Sequence, residues 1–357
     1  MNRKEFLQTS AALIPMSMIG ISKTEAKTTE TPAIPFQESS SYKEQAGVLK
    51  FNTEGKFKIV QFTDVHWVPN NKESLAAKER MEEVLDTEKP DLVIFTGDVI
   101  FGKPAQSALE DAFAPVVERK IPFSYTFGNH DDEQGMSRQE IYKYTKKWDT
   151  NLSGTTEGLN GVSNFILTIR SSDEKKDAFV LYYFDSLSYS PVKGLGSYDW
   201  IKEDQIAWYR QCAADFKAKN NQEPIPALAF FHIPLPEYNQ AAQSEKALLI
   251  GIRKEPACAP VVNSGLYTAM LEAGDVMGTF VGHDHVNDYL TIWNGILLGY
   301  GRYTGGKTVY CDIPWGNGAR VIELTEGKRE LETWIRLKGG RIIDHVYYPK
   351  DFSKEPW

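Results

Sequence analysis

Five of the six histidines in this 357-residue chain fall in four short runs: "TDVH" at 63–66, "GNHD" at 128–131, "FFHIP" at 230–234 and "GHDH" at 282–285. A fifth run, "TGD" at 96–98, carries no histidine but ends in an aspartate. Together they offer imidazole nitrogen, carboxylate oxygen and amide oxygen with no thiolate, a donor set that suits Mn, Fe, Co or Zn. In an extended segment the side chains of His283 and His285 point to one face, with their Cα atoms roughly 6.6 Å apart, and can reach one ion or two adjacent ones. Taken singly, each fragment has an ordinary structural use. Asp64 can cap a turn, Asp98 can face solvent, Asn129 suits a left-handed turn position, and His232 suits a core. What joins them is position, because every run closes an apolar stretch.

Those apolar stretches read as strands in alternation with helices. "FKIVQFTDVH" precedes a helical pattern over 73–88, and "DLVIFTGD" precedes "AQSALEDAFAPVVERK", whose apolar face is Leu109, Phe113, Val116 and Val117. "PFSYTFGNHD" precedes a helix opened by a Ser137–Glu140 capping box. Strands follow over 163–171 and 177–186, then a helix over 201–219, then the apolar runs "PALAFFHIP" and "DVMGTFVGHDH". Beyond 286 only strands and glycine-rich turns are expected, to about residue 336. "VLKFNTEGKFKIVQFTD" reads as a hairpin turning at 52–55, with Phe57, Ile59 and Gln61 sharing one face. The alternation predicts an α/β fold on a largely parallel sheet, with the late strands forming a second sheet packed on the first. Ligands of such sheets bind outside the carboxyl ends of the strands, where the polar runs stand.

In this order, "DVH…GD…GNHD…H…GHDH" resembles the calcineurin-like metallophosphoesterases, over about residues 56–290. More narrowly, "GNHDDEQGMSR", "FFHIPLPEY" and "NSGLY" resemble the purple-acid-phosphatase-28/29-like branch. The resemblance implies a four-layer α/β/β/α sandwich with a dinuclear metal site at the carboxyl ends of the strands. It implies that Asp64, His66 and His285 hold one ion, that Asn129, His232 and His283 hold the other, and that Asp98 bridges both. Two ions so bridged can bind a hydroxide as nucleophile. With two dications, a net charge of about +1 then remains, which suits a phosphate ester. His130, next to a ligand but assigned to neither ion, is the expected general acid, with Asp98 the second catalytic residue. One departure is visible: purple acid phosphatases carry a tyrosine ligand three residues after the bridging aspartate, where this chain has Phe101. The expected function is a metal-dependent phosphohydrolase, phosphomonoesterase favoured. Phosphodiesterase or nucleotide hydrolysis on the same site, and a non-catalytic metal-binding scaffold, stand as alternatives.

The net charge of −8 excludes a broad nucleic-acid-binding face, and a small phosphorylated substrate is the expected partner. Arg138 and Arg253 are candidates for holding an outer charge on that substrate, and Trp67, Phe101 and Tyr238 are candidate pocket residues. Arg3 and Lys4 followed by "AALIPMSMIGI" and "TEA" read as an export signal cleaved near Ala26. The expected organisation is a signal peptide over 1–26, a polar linker over 27–45 and one catalytic domain over 46–357. The mature chain is then periplasmic or extracellular, with no transmembrane anchor. Cys212, Cys258 and Cys311 have no metal-type spacing and are expected as buried free thiols.

Overall fold

In the computed structural model, residues 49–352 are described, all within the larger of the two units into which the chain divides, Phe36–Trp357. The expected signal and linker segments lie outside the described residues. Strands β1 (Lys56–Phe62), β2 (Leu92–Thr96) and β3 (Phe123–Thr126) run parallel at one side of a six-stranded sheet. A second six-stranded sheet has the order β4 (Phe165–Arg170), β5 (Asp177–Tyr183), β6 (Ala227–Phe230), β7 (Val276–Val281), β9 (Ile296–Tyr300) and β8 (Leu290–Trp293). Its strands β5, β6, β7 and β9 are parallel.

Period-two patterning explains why two sheets stack. Phe57 and Ile59 of β1 and Ile94 of β2 pack with Phe179, Leu181, Leu228, Phe230 and Phe280 of the second sheet. Val60 and Phe62 turn the other way, onto helices α1 (Lys72–Glu88) and α2 (Ala105–Glu118) through Met81, Val84, Leu109 and Phe113. The outer face of the second sheet packs Val180, Tyr182 and Ala229 against α4 (Glu203–Lys219) and α6 (Leu266–Ala273). Four layers result, α/β/β/α, as the resemblance implied. Each fully buried Leu, Ile or Phe in these interfaces is worth roughly 1.5–3 kcal/mol. Gln61 continues the inward alternation, and its amide donates to Thr96 Oγ1 (2.8 Å) and to the Val281 carbonyl (3.1 Å). This polar tie joins the sheets directly beneath the loops that carry the histidines. Helix α3 (Arg138–Thr145) opens with the expected Ser137–Glu140 capping box.

Three expectations are corrected. The late strands do not make the second sheet: β8 and β9 complete it, while β10 (Gly318–Thr325), β11 (Leu331–Leu337) and β12 (Ile342–Tyr348) return to the first. The free edge of β1 supplies the reason, since β10 pairs along it from Lys56↔Thr325 to Gln61↔Arg320. Strands therefore extend to Tyr348 rather than to about 336. The turn at 52–55 forms, with the Asn52 amide donating to the Lys56 carbonyl at 3.0 Å. It does not make a hairpin, because the preceding arm bridges Arg170 of β4 instead. Helices α5 (Glu237–Ala242) and α6 went unread, being six and eight residues long. The three cysteines are free, but only Cys212 is buried as expected, Cys258 being exposed and Cys311 partly so, and no described helix is long and apolar enough to cross a membrane.

Candidate metal centre

The five polar runs come from both sheets: three follow β1, β2 and β3, and two follow β6 and β7. They meet because the two sheets present their carboxyl ends on the same side. The chain turns sharply at the end of each strand, and Asp64, His66, Asp98 and His283 all take left-handed backbone, with φ of 53°, 46°, 50° and 78°. Non-glycine residues held there cost of order 1–3 kcal/mol each and cluster at functional sites. The cost is met by hydrogen bonds between loops, the amide of Asp64 donating to the Gly97 carbonyl (3.1 Å) and that of His66 to the Asp98 carbonyl (2.9 Å). Two glycines let the loops close. A Cβ on Gly128 would stand 2.1 Å from Asp98 Oδ1, and one on Gly282 would stand 2.0 Å from Thr63 Oγ1.

Asp64, His66 and His285 form one buried group whose ligand atoms lie within 4.8 Å of one another, and Asp98, His232 and His283 form a second. His66 Nε2 lies 3.0 Å from His285 Nε2, and His283 Nδ1 lies 3.3 Å from His232 Nε2. Asp98 Oδ2 stands between the groups, 3.3 Å from His232 Nε2 and 3.6 Å from His66 Nε2. Asp64 Oδ1 faces His285 Nε2 at 3.5 Å. Outer partners aim the rings: His232 Nδ1 is bonded to the Thr96 carbonyl (2.7 Å) and His285 Nδ1 to the Tyr310 carbonyl (2.9 Å). Such bonds fix which nitrogen each ring presents.

The donor set fits a pair of cations. Asn129 Oδ1 is buried with no hydrogen-bond partner, while its Nδ2 donates to the Tyr189 hydroxyl at 3.4 Å, so the orphan is the amide oxygen. Nitrogens crowded against nitrogens, with an unpartnered amide oxygen beside them, are costly in a dry interior unless an ion takes their lone pairs. The electrostatics point the same way. Burial lowers the pKa of His66 and of His283 to about 3 each, so both rings are neutral donors. Burial works most strongly against charge on His232, but the carboxylates of Asp98 and Asp64 and the Thr96 carbonyl together outweigh it and raise the pKa to about 9. Asp98 is correspondingly held well below its usual range, chiefly by His232 against the cost of burial. Binding cations here therefore displaces protons.

His130 borders this centre without entering either group. Its Nδ1 is bonded to Glu133 Oε2 at 2.7 Å, and its backbone amide donates to Asp98 Oδ1 at 2.8 Å. Phe101 sets its ring edge-on to His66 and to His130, at centroid distances of 5.2 and 5.1 Å.

His283 and His285 follow the end of β7, so they are not on an extended strand with parallel side chains. The left-handed turn at His283 sends them to different groups. Arg138 does not face a substrate. Its nitrogens are taken by Asp185, Asp132 and the carbonyls of Gly128 (2.8 Å) and Leu187 (3.2 Å), making it a strut beneath the "GNHD" loop. Arg253 lies beside the buried Tyr289, and its own Nε is buried without a hydrogen-bond partner. Tyr238 is core, with its hydroxyl on Thr279, and the Trp67 indole is tied to Asp111.

Two functional residues were missed. Glu133 orients His130, a role open to a carboxylate three residues on in a tight turn. Asp131 is the brace of the centre. One oxygen accepts from the amides of Asp98 (3.0 Å) and Gly128 (2.7 Å), the other from Val99 (2.8 Å) and Ile100 (3.1 Å). The final residue of "GNHD" was the available signal. Asp131→Ala leaves four buried donors unpaired, and each such donor costs ~1–3 kcal/mol. A urea titration should show a loss of several kcal/mol, with metal occupancy falling alongside. Unchanged stability would refute the bracing role.

The family profile described as calcineurin-like phosphoesterase matches residues 57–287, the span from β1 through the last histidine run. The chain belongs to the calcineurin-like phosphoesterase family. Among its relatives, probable inactive purple acid phosphatase 29 of Arabidopsis thaliana is 35% identical over 322 residues, covering 81% of this chain and 82% of its own length. Phosphatase DCR2 of Saccharomyces cerevisiae is 36% identical over 329 residues, which span 82% of this chain but 55% of that protein. A crystal structure of a dimetal phosphatase from Danio rerio shares the fold, with a TM-score of 0.57 at 13% identity, covering 82% of this chain and 98% of the other. The two Asp/His groups are thus the candidate dinuclear metal site of a calcineurin-like phosphoesterase.

Proposed function

We propose that this calcineurin-like phosphoesterase is an active phosphomonoesterase, with Asp64, His66 and His285 holding one ion, Asn129, His232 and His283 the other, and Asp98 shared. The observation that carries the reading is the orphaned Asn129 oxygen, which completes a seven-residue donor set beside a histidine held outside it. When bound, the ions supply Lewis acidity toward a phosphoryl group and water. The protein supplies the proton. His130, oriented through Nδ1 by Glu133, gives its Nε2 proton to the leaving oxygen as the P–O bond breaks. The oxygen of water becomes the fourth oxygen of inorganic phosphate, and the alcohol departs neutral. The name of the yeast relative, a phosphatase, supports the monoester choice.

Metal-loaded protein should release phosphate from p-nitrophenyl phosphate faster than it cleaves bis-p-nitrophenyl phosphate, and a chelator should abolish both. Faster diester cleavage would make it a phosphodiesterase. The plant relative named as probably inactive keeps a scaffold reading in view. Stoichiometric metal with no turnover of either ester would establish that reading.

The metals are drawn from Mn, Fe, Zn or Co, as neither Asp/His group includes a thiolate. Phe101 offers His66 and His130 a phenyl edge and no phenolate. A sample fully loaded with iron should therefore be pale, and an intense purple absorption band would overturn the ligand assignment. We also propose export. N-terminal sequencing of protein from the host envelope should begin near Lys27, and recovery of the intact Met1 form from cytosol alone would refute it.

A further inference from the structure

Aromatic side chains flank both halves of the metal centre, and two of them are open to solvent. The Tyr310 ring stacks on metal ligand His285, with centroids 4.4 Å apart and planes at 27°, yet it is 55% exposed. On the other side Tyr198 sets its ring against His283 at 4.4 Å, and Tyr189 stacks on Tyr198 at 6.0 Å. Tyr189 is 48% exposed and lies 6.4 Å from the ring of His130. A mobile surface tyrosine would not be notable, but these hydroxyls are tethered. That of Tyr310 donates to Glu255 at 3.1 Å, and that of Tyr189 donates to Glu133 at 3.1 Å. The tethers hold two ring faces in place beside His285 and His130, and ring faces so held lose little entropy when a planar group stacks on them.

The charges of this rim matter as much as its rings. Glu133 and Glu255 make it acidic, and Arg138, which might have held a second phosphate, is turned onto Asp185. A leaving group with further negative charge meets repulsion there, while a neutral, planar one finds two aromatic faces.

We propose that Tyr189 and Tyr310 form a leaving-group subsite selecting phosphomonoesters that carry one phosphate and an aromatic group close to it. An aryl or benzyl-type ester and a nucleoside monophosphate share that chemistry. The proposal rests on the phosphoesterase reading, so its test reads binding rather than turnover. Titration calorimetry of the metal-loaded protein with benzylphosphonate, cyclohexylmethylphosphonate and methylphosphonate compares ligands that cannot be hydrolysed. Benzylphosphonate should bind ~5–10-fold more tightly than its cyclohexyl counterpart, the advantage expected of aromatic pairing beyond buried area. Tyr310→Leu and Tyr189→Leu, with metal content checked, should each bring that ratio toward one. Competition by the methylenephosphonate analogue of AMP against that of ribose 5-phosphate, and by that of phosphotyrosine against that of phosphoserine, then separates a base from an aryl ester as the source. Equal affinity of the benzyl and cyclohexyl ligands would overturn the subsite, as would a ratio that both leucine variants leave intact. Failure of the phosphatase reading would look different: selective phosphonate binding with no hydrolysis of any ester.

Discussion

Asp98→Ala should lose both metal ions together and, with them, all measurable phosphoester hydrolysis. Asp98 presents one carboxylate oxygen to both groups, 3.3 Å from His232 and 3.6 Å from His66, whereas Asp64 Oδ1 lies 3.5 Å from His285 of its own group and 4.0 Å from His232 of the other. Removing an outer partner of a metal ligand costs ~10–100-fold in affinity or activity, and removing a shared ligand should cost far more. The residue also has a structural duty, because its other oxygen accepts from the His130 amide at 2.8 Å. Asp98→Asn separates the two. The amide keeps an oxygen for the His130 amide but removes the charge that binds two cations. Elemental analysis of the folded Asn variant should show neither ion at stoichiometry, while circular dichroism stays native. One full equivalent of metal retained at either position would contradict a shared carboxylate.

The second large effect belongs to His130. As proton donor it should matter most where the leaving oxygen most needs a proton. Alkyl and sugar alkoxides depart poorly without one, whereas p-nitrophenolate leaves largely unaided. His130→Ala should keep both metals and cost ~10²–10⁴-fold on alkyl phosphates, with a clearly smaller loss on p-nitrophenyl phosphate. Glu133→Gln should show the same pattern at lower amplitude, since Glu133 holds the ring through Nδ1 and takes no part in the transfer. Rates plotted against leaving-group pKa decide the matter. Parallel slopes for wild type and His130→Ala would mean that His130 only binds the phosphoryl oxygens, and lost metal would mean a structural role.

Much of this centre is legible in the sequence alone. Donor types and their place at the ends of apolar runs are local properties, and so is the alternation of Phe57, Ile59 and Gln61. Each follows from the chemistry of a few neighbouring residues, which is why the strand-by-strand reading from β1 to β7 matched the structure closely. What the sequence could not convey was which strands would become neighbours. Hydrogen-bonding edges are satisfied by whichever strand reaches them, so β10 closed the edge of β1 across a separation of more than two hundred residues. The same limit explains Arg138 and Asp131. Both are charged residues in a polar stretch of sequence, where a surface or substrate role is the natural expectation. Burial against Asp185 for one, and against four amides for the other, makes them internal supports. The split of His283 and His285 between the two groups has a similar origin. Their spacing sets how far apart they can reach, but a left-handed turn, held by the His283 amide donating to Asp64 at 3.0 Å, sets where each one points. Ligand identity is written in residue chemistry. Ligand direction is set by backbone conformations that only long-range contacts make affordable, because an isolated segment has nothing to offset their cost.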